Sequence, residues 1–119
     1  MAQHNELGKK GEQLAVDFLI KNGYKILHRN WRYLKAEVDI VAQKENILAV
    51  VEVKTRSSDS FGNPQDFVNS KKIKLLVAAI DEYVVSRDLD VRVRFDIIGI
   101  LKKNNQFIVK HLEDAFLYF

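Results

Sequence analysis

From Glu6 to Asn22 the apolar residues Leu7, Leu14, Ala15, Phe18 and Leu19 return at helical spacing, and Gly23 supplies a natural stop. YKILHRNWRY follows as an extended segment with weak alternation. Residues 37–42 and 46–54 are stronger strand candidates, rich in Val and Ile and separated by a short polar turn. SSDSFGNPQD carries the chain's single proline and reads as a surface loop. Ile73, Leu76, Val77, Ile80 and Val84 mark a second amphipathic helix, with Asn69 as its N-cap and Val68 and Ile73 as a hydrophobic staple. VRVRFDIIGIL and QFIVKHL form a further hairpin across Asn104 and Asn105, and a short apolar tail ends the chain. The order α-β-β-β-α-β-β predicts an α/β fold in which helices flank a central mixed sheet.

Composition narrows the class. The 119 residues suit one domain, 1–119, with one main core. The formal charge of +3 permits a polyanionic partner without demanding one. Without cysteine there are no disulfides, thiolate zinc sites or cysteine nucleophiles. No apolar run approaches the roughly 20 residues that span a bilayer, and MAQHNELGKKGEQ lacks the apolar stretch of a signal peptide. A cytoplasmic protein with no membrane partner is expected.

Within the two strongest strand candidates stand Asp39, Glu52 and Lys54. Period-two alternation puts Glu52 and Lys54 on one face, with Val51 and Val53 on the other. A two-residue turn at Lys44 and Glu45 would set Glu52 opposite Glu37 and make Asp39 its diagonal neighbour on a shared face. Clustered carboxylates repel one another and are costly to desolvate, so a hard divalent cation, Mg2+ or Mn2+, is a natural partner. The same spacing also suits an ordinary surface Glu–Lys pair, which contributes little.

EVDIVA, a short turn and AVVEVKTR resemble the core motif of the PD-(D/E)xK nucleases, the restriction-endonuclease-like superfamily. With GKKGEQLAVDFLIKNGYKILHRNWR, FGNPQD and RFDIIGI, the chain from about Leu7 to Phe116 resembles the YraN family of predicted endonuclease-like proteins, relatives in fold of the archaeal Holliday-junction resolvases. The resemblance implies metal binding at Asp39 and Glu52, a catalytic Lys54, and a first-helix glutamate at Glu12 that completes the site. It also implies a Mg2+- or Mn2+-dependent endonuclease acting on DNA, branched or junction DNA included, and a homodimer. Two departures stand out: Val38 replaces the proline that names the superfamily, and Ala36 replaces the usual glycine before Glu37.

Basic residues suggest where a nucleic acid would lie. Between Asp17 and Glu37 there is no acidic residue, and Lys21, Lys25, Arg29, Arg32 and Lys35 alternate with Tyr24, Trp31 and Tyr33. Packing in the core is the other use for those aromatics. Lys71, Lys72 and Lys74 fall in the first turn of the second helix, where the dipole disfavours cations unless an anion docks there. Thr55 and Arg56, just past Lys54, are placed to touch a phosphate. Asp96 reads as a structural partner of Arg94, and the three histidines are too scattered for a shared metal. GKKG fits the Gly-x-x-Gly of an RNA-gripping loop, but within a helical pattern. A nucleic-acid-binding module without turnover and a protein-interaction scaffold are the alternative functions.

Overall fold

The computed structural model describes residues 6–57 and 70–115. Helix α1 (Glu6–Lys21) leads into strands β1 (Lys25–Tyr33), β2 (Ala36–Lys44) and β3 (Ile47–Arg56). Helix α2 (Ser70–Ser86) precedes β4 (Arg92–Lys103) and β5 (Gln106–Leu112). The expected element order therefore holds. The sheet order is β1-β2-β3-β4-β5; β3 and β4 are parallel and every other neighbouring pair is antiparallel. A parallel pair needs a crossover, which the segment carrying α2 provides. This is the restriction-endonuclease-like architecture, a five-stranded mixed sheet between two helices. The Asn69 cap, the Val68 staple and all of FGNPQD lie outside the described residues, as do His4 and Phe116.

Local chemistry sets the breaks. Gly23 sits at φ +92°, its N–H bonds to Ile20 O, and the Tyr24 N–H returns to Leu19 O at 2.9 Å. That is a Schellman stop, which needs the left-handed backbone that glycine adopts without strain. Asn104 and Asn105 both take positive φ, 53° and 62°, as a tight two-residue hairpin turn requires.

Two cores sandwich the sheet. On one face Ala15, Val16 and Leu19 of α1 meet Ile40, Ala42, Ala49, Val51, Ile98 and Ile100. On the other, Leu76, Ala79, Ile80 and Tyr83 of α2 meet Val38, Val41, Leu48 and Val50. Each side chain as deeply buried as Leu19 or Ile98 stabilises the fold by about 1.5–3 kcal/mol. Because both faces of β3 are covered, Leu48–Val51 is a continuous buried run. The face bearing Glu52 is thus core up to Val50 and becomes polar only at the strand's end. On α2 the burial stripe is Leu76, Ala79, Ile80 and Tyr83; Val77, expected in the stripe, is 45% exposed. Tyr83, one helical step from Ile80, takes the inward position instead.

Arg94 and Asp96 are the buried charged residues among those described. Asp96 accepts from Arg94 Nε at 2.9 Å and Nη2 at 2.8 Å, and lies 2.8 Å from His111 Nε2. Its Oδ1 also accepts the Asp114 N–H at 3.2 Å, while Arg94 Nη2 donates to the Tyr24 hydroxyl. Burial alone would raise the Asp96 pKa, but the bonds from His111 and Arg94 outweigh it and hold the carboxyl below its usual range. The structural partnership with Arg94 is as expected. This network ties β4 and β5 to Tyr24, the residue before β1, under α1.

Candidate active site at the fork of the sheet

The turn between β2 and β3 falls on Glu45 and Asn46, with Glu45 at φ +55°, rather than on Lys44 and Glu45. Lys44 pairs with Ile47 and the ladder runs to Ile40 opposite Val51. The register is therefore two residues from the expected one. Continued, it sets Asp39 opposite Glu52 rather than diagonal to it, and leaves Glu37 beyond. A slip of two residues preserves every side chain's face, so alternation could not detect it.

Beyond Ile40 and Val51 the ladder stops. β2 continues paired with β1, through Val38 opposite Trp31, while β3 continues paired with β4 through Arg56 opposite Leu101. The sheet forks there. Alternation in β2 also breaks: Val38 and Val41 both pack on the α2 side, although an odd number of positions separates them. Asp39 is one of the two residues across which the strand turns over, and Asn30, between partners of Val38 and Ile40 on β1, takes φ +48°. Asparagine tolerates that conformation better than most residues. The fork leaves Val53's N–H without a strand partner on the β2 side, and Asp39 Oδ2 accepts it at 2.8 Å.

A cleft of about 370 Å³ opens at the fork, lined by Lys35, Ala36, Glu37, Asp39, Glu52, Lys72, Leu75 and Leu76. Asp39 and Glu52 are thereby brought to one cavity. Burial pushes the Asp39 carboxyl up to about 7; Glu52's charge and, less strongly, that of Glu12 add to the rise, while the Val53 N–H and Lys72 oppose it. Glu12 is half-buried on α1 and contributes its field, not a lining surface. Gly11 beside it lets α1 approach: a Cβ there would lie 2.0 Å from Thr55 Oγ1. The GKKG stretch is helical, and its second glycine serves this close contact. Thr55 accordingly packs on α1.

Lys72 Nζ lies 2.9 Å from Glu52 Oε2, with Glu52's side chain 13% exposed. Sequence alone pointed to Lys72 as a phosphate contact; nothing local revealed that it reaches across to β3. Lys35, also in the cleft wall, carried no signal beyond its charge. Lys54 is half-buried, two residues past Glu52 on β3, and does not line the cleft. Among the described residues no three His, Asp or Glu side chains are grouped to hold a metal ion. Two carboxylates with water filling the remaining positions still suit Mg2+, which commonly uses one or two protein carboxylates. The donor set fits a hard cation.

The other basic residues spread over several surfaces. Arg29 donates to Gln13 at 3.2 Å, and Arg32 pairs with Glu37 at 3.3 Å in full view of solvent. Arg56 reaches the Thr55 carbonyl at 3.3 Å, and Lys71 and Lys74 are exposed. Tyr24 is 7% exposed and cannot stack on a base. Trp31 is stacked between His28 and Tyr33, at 4.9 and 5.1 Å between centroids, with Tyr83 edge-on. Burial, then the Arg87 charge, lowers the His28 pKa. These aromatics pack the molecule rather than offering free faces.

The five-stranded mixed sheet between two helices defines a restriction-endonuclease-like fold. Over residues 11–100 the sequence matches the family described as "Uncharacterised protein family UPF0102", and the chain belongs to that family. A UPF0102 protein of Flavobacterium psychrophilum is 61% identical over 119 residues, covering all of both chains. Another, from Christiangramia forsetii, is 57% identical over 119 residues with the same full coverage. A solved structure of Pyrococcus furiosus SfsA in complex with Ca2+ aligns with 90% of this chain and 62% of that one, at 13% identity and a TM-score of 0.34. A likeness that remote carries no weight for function. No helix among the described residues is long and apolar enough to cross a membrane.

Proposed function

We propose that this protein is a metal-dependent endonuclease that hydrolyses DNA phosphodiester bonds, acting in the cytoplasm on branched or junction DNA and working as a homodimer. The observation that carries this reading is the shared cleft of Asp39 and Glu52 at the fork. Asp39 and Glu52 would hold Mg2+ or Mn2+, with Glu12 assisting through its charge. Such an ion supplies Lewis acidity toward a phosphoryl oxygen and toward water. Asp39 keeps one oxygen on the Val53 amide, which fixes its orientation. Lys54, next but one to Glu52, would orient the attacking water and stabilise charge developing at phosphorus. Lys71, Lys72, Lys74, Arg29, Arg32 and Arg56 are the proposed backbone contacts, and binding through them falls steeply with salt. A homodimer would present two clefts to the two related strands of a junction.

A binding module without turnover is the second reading. It is favoured by the Lys72–Glu52 ion pair, which already gives one carboxylate a cation. Cleavage assays with Mg2+ on junction, single-stranded and duplex DNA separate the two. Cleavage is expected, with Lys54→Ala lowering its rate at least about a hundredfold while salt-dependent DNA binding persists. DNA binding with no cleavage of any substrate would establish the second reading.

A further inference from the structure

Lys72 ion-pairs with Glu52 at the fork, while Arg32 pairs with Glu37 on the solvent-exposed rim of the same cleft. The position of Lys72 follows from the packing of α2. Leu76, one turn on, is 3% exposed and locked into the core with Val38 and Val50, so the same helix face carries Lys72 over the cleft. Lys71 and Lys74 flank it in sequence but face solvent. A lysine in a helix's first turn opposes the dipole, and Glu52 offsets that cost. Lys72 also lines the cleft that Asp39 shares with Glu52. One ammonium thus stands in the cavity of both proposed metal ligands.

We infer that Lys72 is a built-in counter-cation that holds the carboxylate pair in the absence of metal and weakens metal binding until it is drawn away. The inference rests on the metal-site reading above. A divalent ion entering between Asp39 and Glu52 meets the Lys72 charge in a half-buried cleft, where like charges repel more strongly than in bulk water. Lys72 must therefore withdraw toward the cleft mouth, where a phosphate backbone is the natural acceptor for its ammonium. Nucleic acid that takes Lys72 then favours metal binding, and metal binding by displacing Lys72 favours nucleic acid; the two couplings are equal by linkage.

Titrating the DNA-free protein with Mn2+ alone tests this, with binding read by electron paramagnetic resonance. Lys72→Met is expected to tighten Mn2+ binding at least about fivefold, from the like-charge repulsion it removes. Lys72→Arg, which keeps the charge, should stay within about twofold of the parent, and so should Lys110→Met, an exposed charge on β5. Unchanged or weaker binding in Lys72→Met overturns the counter-cation role. If Mn2+ still binds saturably and Asp39→Asn abolishes it, the metal site stands without that role. If neither the parent nor Lys72→Met binds Mn2+ saturably, the metal-site reading falls and takes this inference with it.

Discussion

Asp39 Oδ2 and the Val53 N–H are joined at 2.8 Å at the point where β2 and β3 stop pairing. A side chain takes over there from a main-chain ladder. The same bond fixes one oxygen of a carboxylate that burial and Glu52 push up to about 7.

That shift gives the metal-free protein a pH dependence of unusual sign. Between the ordinary value of 3.8 and about 7 the folded chain holds a proton at Asp39 that the unfolded chain has released. This group's contribution to stability therefore falls as pH rises across that window. Asp39→Asn removes the titration, and its amide oxygen can still accept the Val53 N–H. In EDTA the variant should melt above the parent at pH 8, with the gap shrinking or reversing at pH 5. A melting difference independent of pH would contradict the assignment.

Gly11 gives the second test. Alanine there brings Cβ within 2.0 Å of Thr55 Oγ1 and 2.9 Å of its Cγ2. Gly11→Ala should cost about 1–3 kcal/mol through overpacking, despite alanine's better helix propensity. Thr55→Ala should recover part of that loss, so urea unfolding of both single variants and the double should show non-additivity. Strict additivity would mean that α1 does not rest on β3 here.

Asp96 carries the opposite pH sign from Asp39. Its lowered pKa contributes stability above the unfolded value, which is lost as pH falls through the folded one. Asp96→Asn leaves the Arg94 guanidinium buried with a weakened partner and should cost about 3–5 kcal/mol in urea unfolding. Replacing both residues, Arg94→Met with Asp96→Leu, should cost less than the single change. A cost below about 1 kcal/mol for Asp96→Asn would show that the network does not hold β4 to β5.

Much of this was legible in the residues. Leu14, Ala15, Phe18 and Leu19 announced α1, Gly23 announced its end, and Asn104–Asn105 announced the last hairpin. Glu52 and Lys54 could be assigned to one face because strand alternation is strict in that stretch. The register was not legible, since moving the turn from Lys44–Glu45 to Glu45–Asn46 leaves every face unchanged. The roll of β2 near Asp39 was hidden for a related reason: it lies beside Asn30, a positive-φ residue of the neighbouring strand that no pattern within β2 reveals. Lys72's pairing with Glu52 joins residues 20 positions apart across a helix–strand contact, and no local pattern encodes it. Tyr24 and Trp31 looked equally suited to core or surface, and only packing decided between them.

The most direct test of the proposed chemistry is anomalous diffraction from crystals soaked in Mn2+. The account predicts one strong peak at the fork, within coordination distance of carboxylate oxygens from both Asp39 and Glu52, and its loss in Asp39→Asn. A soak at saturating Mn2+ with no peak between those two side chains, or a peak that ignores the substitution, would contradict it.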